Sequence, residues 1–500
     1  MRISWFLAGV CGVCAAAMGS PSLNFQTVIK QNDALPGGGT FNGPFQIVVG
    51  DGGQVGMIAV DDSSNPLVLY ANNGQLTSVA QVGGPLGLDG FSNLAISGNS
   101  SNGTRLTYVA QNSSTGAAGI FQYDVGSSGV NEVAFNGHDN LSILVANDPS
   151  ADNTLPMQVN AVGQVIFPAI DANNHSVIIV GDSTAPQRLT TLFTGSDSNS
   201  NAPNSYALAP VGSPLGISSD GSSGFAVLNS PANGSGSATV YTVGGGTPAN
   251  FTGGIDGATL ISAQQGNGVN AALLLADHPS NSSLLDIVLH DSSGNHALGT
   301  FAKADAARLL IGGEGEMTTT GKVAFYLADA NGGEVQYYDV GTHAQTTVAL
   351  TGTTVVDPSS PSTHYTIDTI GAGVGTPMIN NNSIVVFGAT ITDGGAQRHE
   401  ALLEWQPGDT NPIVLLQDGD TIAGLGTIDP DGIGTNPFSS EGDVFKNSLS
   451  NDNYLGVAVT YDDGNSAVLL TQLSSVPEPT AVALLSLASL GLLNRRRRVA

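Results

Sequence analysis

Short runs of alternating apolar and polar residues recur along nearly the whole chain, each followed by a turn rich in Asp, Asn and Gly. Such runs include Leu67–Tyr70, Ser176–Val180, Glu334–Tyr338, Ala401–Trp405 and Ala467–Leu470. Ahead of them stand the turns Asp61–Asn65, Asp171–Asn174, Asp329–Gly333, Asp393–Gly395 and Asp462–Asn465. Period-two alternation on both sides of an Asx/Gly turn predicts β-hairpins. Two of the runs share an ending, Tyr123-Asp124-Val125-Gly126 and Tyr338-Asp339-Val340-Gly341, which marks an internal repeat. Only the two ends of the chain break the pattern, with unbroken apolar runs from Ile3 to Met18 and from Thr480 to Leu493.

A motif precedes each hairpin: Asn or another small polar residue, two residues, Gly, two residues, then a small or aliphatic residue and Phe. Its clearest copies run from Asn160 through Gly163 to Phe167, from Thr318 through Gly321 to Phe325, and from Ser218 through Gly221 to Phe225. Asn380–Phe387 carries Ser383 in place of the Gly, and Gly50–Met57 replaces the Phe. Gln265–Ala272 and Ser450–Val457 are degraded, and Gly103–Tyr108 is the weakest copy. Successive copies lie about 47 to 70 residues apart, the period of propeller blades. Gly turns the chain with positive φ before a strand, and the Phe position fills the space between neighbouring sheets. A lone four-stranded blade cannot bury both faces, so the units must stack and close into a ring. The expected fold class is all-β, a β-propeller of seven or eight blades of about 50–60 residues. A strand over Asn24–Lys30 is expected to complete the last blade.

The repeat resembles the NxxGxxAF tandem-repeat proteins, with the copies at Asn160 and Thr318 carrying the likeness best. Ala34–Phe41 and Asp418–Gly426 are similar to the Gly/Pro-rich connectors between units of that family. The resemblance implies an exported, propeller-like protein and no particular reaction.

Both ends read as sorting signals. Arg2, the apolar run Ile3–Met18 and small residues at Ala15 and Ala17 form a secretory leader, residues 1–20. Cys11 and Cys14 lie inside it, so the body is expected to carry no disulfide. After the body, 21–473, a linker at 474–479 holds Val476, Pro477, Glu478 and Pro479. Residues 480–500 supply an apolar helix and the basic cluster Arg495, Arg496, Arg497 and Arg498. Fourteen helical residues reach only about 21 Å, short of a hydrocarbon core of about 30 Å. Arg495–Arg498 favours the cytoplasmic side and leaves the body outside. This tail resembles the PEP-CTERM sorting domain of Gram-negative bacteria. The resemblance implies export through signal peptidase, a transient inner-membrane anchor, and recognition of Pro477-Glu478-Pro479 by an exosortase. It further implies a final place at the cell surface, outer membrane or extracellular matrix, with exopolysaccharide as a partner. A plain C-terminal anchor is the alternative.

Charge narrows the partners. Of 13 Lys plus Arg, Arg2 lies in the leader and four in the tail, which leaves 8 set against 40 acidic residues. Nucleic acid and anionic membrane surfaces are poor partners for such a body. Hydrophobic residues at 41% argue against disorder despite 66 glycines.

Catalytic motifs do not emerge. The histidines His138, His175, His278, His290, His296, His343, His364 and His399 form no H-x-x-x-H or H-E-x-x-H pair, and no G-x-S-x-G elbow is present. His290 and His296 flank the turn Asp291–Asn295 and read as surface residues of a hairpin. Gly371–Gly375 is Gly-rich without a strand–helix setting. Asp329–Glu334, Asp429–Gly432 and Asp197–Asn201 gather oxygen ligands, but none completes a calcium loop, and turns need the same residues. The sequence reading is therefore an exosortase-sorted surface or matrix protein that is not an enzyme, with no catalytic residue, metal ligand or cofactor assigned. Two alternatives stand beside it. One is a carbohydrate- or protein-binding propeller using aromatics such as Trp405 and Tyr365; the other is a secreted hydrolase or lyase with its site in the propeller channel.

Overall fold

The computed structural model describes residues 24–473 apart from 84–86, 98–102, 145–156, 198–206, 209–214, 219–220, 230–237, 244–248, 251–258, 267–268, 303–314, 328–332, 360–362, 371–376, 395–396 and 434–447. Every element among the described residues is a strand, and no helix there is long and apolar enough to cross a membrane.

The strands form eight sheets in chain order. Blade 1 spans 41–81, blade 2 90–135, blade 3 141–197, blade 4 207–250, blade 5 259–302, blade 6 315–350, blade 7 354–417 and blade 8 421–472. Within a blade the strands pair antiparallel, from the inner edge outward; the exception is a parallel contact of Val356 with Ile413. Neighbouring sheets touch in sequence order, and the inner strand Phe41–Gly50 contacts both Gly90–Ser97 of blade 2 and Tyr454–Tyr461 of blade 8. The ring is thus a closed propeller, and the expected seven or eight blades are eight.

Closure uses the first strand. Gln26–Lys30 pairs antiparallel with Ser466–Gln472, placing Gln26 beside Leu470 and Lys30 beside Ala467 at the outer edge of blade 8. One blade is therefore built from both ends of the body, and the outer edge of Ser466–Gln472 is covered rather than exposed.

The eight motif copies occupy one structural place, the turn from inner to second strand. The Gly position has positive φ at Gly53 (74°), Gly103 (75°), Gly163 (85°), Gly221 (69°) and Gly321 (75°). Ser383 (64°) and Asn453 (73°) hold the same left-handed conformation without being glycine. Four residues on, Met57, Phe167, Ala272, Phe325, Phe387 and Val457 are buried to 0–1% exposure between sheets. In blade 2 Tyr108 takes the Phe position, buried and level with Phe325, because Arg105 pairs with Asp124 as Lys322 pairs with Asp339. On the opposite face buried Thr107 accepts a hydrogen bond from Gln122 Nε2 at 3.1 Å. The same amide donates to the Gly163 carbonyl of blade 3 at 2.5 Å.

The polar head of the motif ties its own turn and the next. Asn160 Oδ1 accepts the Gln164 N–H at 2.9 Å, while its Nδ2 donates to the Ser218 carbonyl of blade 4 at 3.0 Å. Asn380 repeats this, accepting the Ile384 N–H at 3.1 Å and donating to the Ser450 carbonyl of blade 8 at 3.0 Å. Thr319 Oγ1 donates to Asn381 of blade 7 at 2.9 Å. Asp51 accepts the Asn451 N–H at 2.9 Å and joins blade 1 to blade 8. Hydroxyl heads such as Ser218 and Thr318 close their own turns, accepting the N–H of Ser223 and Lys322 at 3.0 Å.

Two substitutions separate the turn from the staple. A non-Gly residue in left-handed geometry costs about 1 kcal/mol. Ser383→Gly is expected to stabilise the protein by about 1 kcal/mol. Asn380→Ala removes the buried amide that ties this turn to the Ser450 carbonyl and to Asn453 Oδ1 of blade 8, and is expected to cost about 1–3 kcal/mol. Thermal unfolding checks both, and opposite shifts in Tm are the expected result.

Candidate metal centre

The sorting residues Ala15, Ala17, Val476, Pro477, Glu478, Pro479, Arg495, Arg496, Arg497 and Arg498 lie outside the described residues, as does Gly371–Gly375. Of the calcium candidates, residues 329–332 and 198–201 also lie outside. The described Asp side chains of the hairpin turns are engaged by backbone instead. Asp61 Oδ1 accepts the N–H groups of Ser63 and Asn65 at 2.9 and 2.8 Å, and Asp171 Oδ1 those of Asn173 and His175 at 2.9 and 2.8 Å. Trp405 and Tyr365 are buried, with Trp405 against Tyr337 at 5.6 Å between ring centroids, so these aromatics are core rather than a ligand platform.

The structure brings together a set that sequence reasoning missed. Asp291 ends the third strand of blade 5 (Leu284–Asp291) and His296 sits on the outer strand (Gly294–Ala302). His343 lies on the corresponding hairpin of blade 6, between Glu334–Asp339 and Ala344–Leu350. One donor atom from each of the three lies within 4.8 Å of the others. Asp291 Oδ1 is 3.2 Å from His296 Nε2, and its Oδ2 is 3.8 Å from His343 Nδ1. The imidazoles lie 4.7 Å apart at 33°. His343 takes a left-handed φ of 55°, a conformation His adopts more readily than most side chains.

Local hydrogen bonds orient the set. Ser293 donates to Asp291 Oδ1 from its N–H and its Oγ, both at 2.7 Å, and Ser293 Oγ lies 2.9 Å from His296 Nε2. Tyr338 Oη is 3.0 Å from His343 Nδ1. Burial pushes the Asp291 carboxyl up, but the Ser293 hydrogen bonds and His296 outweigh it and hold the group below its usual range. Burial, with the charges of Asp291 and Asp339, raises the Tyr338 phenol. Asp291 is buried, whereas the His296 and His343 side chains are 29% and 45% exposed, so solvent reaches the nitrogens.

His290 and His296, which flank one hairpin turn, do not meet. His296 stands opposite Leu289 and His290 opposite Asn295, one register apart, so the two rings project from opposite faces of the sheet. His290 Nδ1 is engaged with Asn295.

A second buried polar group sits in blade 7. His399 Nδ1 contacts Asp418 Oδ1, and Asp418 Oδ2 accepts the Glu400 N–H at 2.9 Å. Asp420 accepts the Gln417 N–H at 2.9 Å, and its carboxyl is raised by burial and by the charges of Asp357 and Asp418. These carboxylates order the loop that leaves the blade.

No protein-family model matches the chain, and no curated protein is similar to it in sequence. Solved structures do match. The β-propeller domain of the Trilobed protease from Pyrococcus furiosus aligns at 10% identity and TM-score 0.42, over 75% of this chain and 98% of that one. Oligogalacturonate lyase from Vibrio parahaemolyticus aligns at 11% identity and TM-score 0.39, over 88% and 99%. Dipeptidyl peptidase 4 from Porphyromonas gingivalis aligns at 8% identity and TM-score 0.42, over 76% and 60%, so the chain spans under two thirds of that protein. The expectation that the chain is not an enzyme is corrected here. Peptidases and a lyase are among the matched structures, contrary to that expectation. A set spread over separate blades leaves no motif, as Asp291, His296 and His343 illustrate.

Glu404 makes the fold sensitive to pH. It lies on the third strand of blade 7 between Val386 and Ile413, is 4% exposed, and accepts a hydrogen bond from Gln406 Nε2 at 2.6 Å. Burial, aided by the charge of Asp409 and opposed by that hydrogen bond, pushes its carboxyl from 4.5 up to about 7. The folded state therefore holds the proton more tightly than the unfolded one. The stabilisation is fully present below pH 4.5 and is lost as pH rises through about 7. At ~1.4 kcal/mol per tenfold change in proton affinity, the loss is on the order of 3 kcal/mol. Glu404→Gln keeps an oxygen for Gln406 and removes the charge. Its Tm is expected to exceed that of the parent at pH 8 and to match it near pH 4.5; an equal difference at both would refute the assignment.

Proposed function

We propose that this chain is an exported propeller, matured by removal of its leader and delivered to the cell surface or extracellular matrix by its C-terminal tail. The supporting observation is how the ring closes. Gln26–Lys30 lies along Ser466–Gln472, so the chain enters and leaves the propeller at one edge of one blade. Both ends of the described ring thus lie on one blade, an arrangement compatible with processing at each end. The acidic body suits solubility outside the cell.

In this reading signal peptidase cuts near Ala17, and the apolar segment 480–493 holds the chain transiently in the inner membrane. An exosortase then acts at Pro477-Glu478-Pro479, and the released or re-anchored propeller takes exopolysaccharide as its partner. Intact-mass measurement on protein from the producing cells tests the processing. The expected mature species lacks Cys11 at one end and Arg495–Arg498 at the other, with the second cut near Pro479. A predominant species that retains the arginines would replace the sorting reading with a plain anchor.

A further inference from the structure

We propose that Asp291, His296 and His343 form a binding site for one divalent transition-metal ion of the zinc class, built across the seam between blades 5 and 6. Three features carry this. The donor atoms already lie within 4.8 Å of one another, so modest rotations bring all three to a common ion at about 2.0–2.2 Å. The donors are two imidazoles and one carboxylate, a set that selects zinc, cobalt, nickel or copper over calcium and magnesium, which favour all-oxygen shells. The ligands are also oriented before the ion arrives. The two Ser293 hydrogen bonds fix Asp291 Oδ1, and the left-handed turn at His343 directs its ring to the neighbouring blade.

Ion binding replaces specific contacts. The bond between His296 Nε2 and Asp291 Oδ1 gives way to two bonds to the ion, with the His296 proton carried on Nδ1. At His343 the ion takes the Nδ1 lone pair that faces Tyr338 Oη, and that hydrogen bond is given up. Three protein ligands leave at least one coordination position for water, on the side where both imidazoles are exposed. The ion has a structural consequence too, since two of its ligands belong to blade 5 and one to blade 6. It adds a tie where Gln345 Nε2 already donates to the Leu298 carbonyl at 2.9 Å. The site is independent of whether the tail is cleaved.

The test is equilibrium dialysis of the full chain, produced without a polyhistidine tag, against zinc(II), with bound metal measured by mass spectrometry and Tm followed in parallel. One zinc per chain and a rise in Tm are expected. A competing excess of calcium is expected to leave zinc binding unchanged. His343→Asn keeps a residue that tolerates the left-handed turn and is expected to weaken binding at least 10-fold, as is His296→Ala. His364→Ala, in blade 7, is expected to bind like the parent. Cobalt(II) offers a readout independent of any variant: bound at this site it is expected to show visible absorption of a low-coordinate nitrogen/oxygen site, bleached by one equivalent of zinc. No saturable zinc binding would overturn the proposal, as would binding of unchanged affinity in both His343→Asn and His296→Ala.

Discussion

A polar side chain at an inner turn, most clearly the amide of Asn160 and of Asn380, is the contact that fixes one blade against the next. Apolar packing between sheets is nearly indifferent to small slides of one sheet along another. A buried hydrogen bond is not, because misalignment leaves a donor and an acceptor unpaired away from water. Asn160 and Asn380 use the oxygen of the side chain to close their own turn and the nitrogen to hold the backbone of the next. The turn that defines one blade thereby sets the height of its neighbour. Gln122 reaches the same place from the third strand of blade 2, which shows that the constraint belongs to the seam and not to one sequence position.

The acidity of the body follows from the same economy of turns. Asp61, Asp171 and Asp463 each spend a carboxylate oxygen on backbone N–H groups of the second-to-third-strand turn. Asp124 and Asp339 do so at the next hairpin, accepting the N–H of Gly126 and Gly341 at 2.8 and 2.9 Å. Much of the negative charge is thus the by-product of a fold with many tight turns and few lysines, rather than a face shaped for a cationic partner. Asp291 stands apart from these. Like them it accepts a backbone N–H on Oδ1, but its Oδ2 faces an imidazole from another blade.

Local features were legible in the sequence and contacts between blades were not. Hairpins, left-handed turns and buried Phe positions depend on residues within about ten positions of each other, so spacing reveals them. The shared ending at Tyr123–Gly126 and Tyr338–Gly341 encodes one Asx turn used twice. The degraded copies were harder, because Ser383 and Asn453 adopt the glycine conformation without the glycine. In blade 2 the aromatic Tyr108 holds the Phe place one residue further from Gly103 than the spacing of the other copies, which blurs the motif there. At the candidate site, proximity in the chain is no guide: His290 and His296 are near in sequence but on opposite faces, while His343 comes from the next repeat. Period-two alternation across the hairpin was the available signal; which neighbour it meets is a property of the closed ring.

The position of the His–Asp set has its own logic. Blade 5 departs far from the repeat, with Gln265 at the turn head and Ala272 where other blades place Phe. Ala272 lies on the face turned away from blade 6, while Ala271, Leu273 and Leu275 on the other face pack with Phe325 and Leu327 of blade 6. Beyond that apolar cluster the outer hairpins of the same seam add cross-blade ties: tilted imidazoles 4.7 Å apart, Asp291 beside both rings, and Gln345 on the Leu298 carbonyl. Outer ties sit farther from the axis than inner turns, so for equal strength they resist a splaying of two blades with greater leverage. The rim of this seam is also where such groups come close enough together, and stay exposed enough, to take an ion.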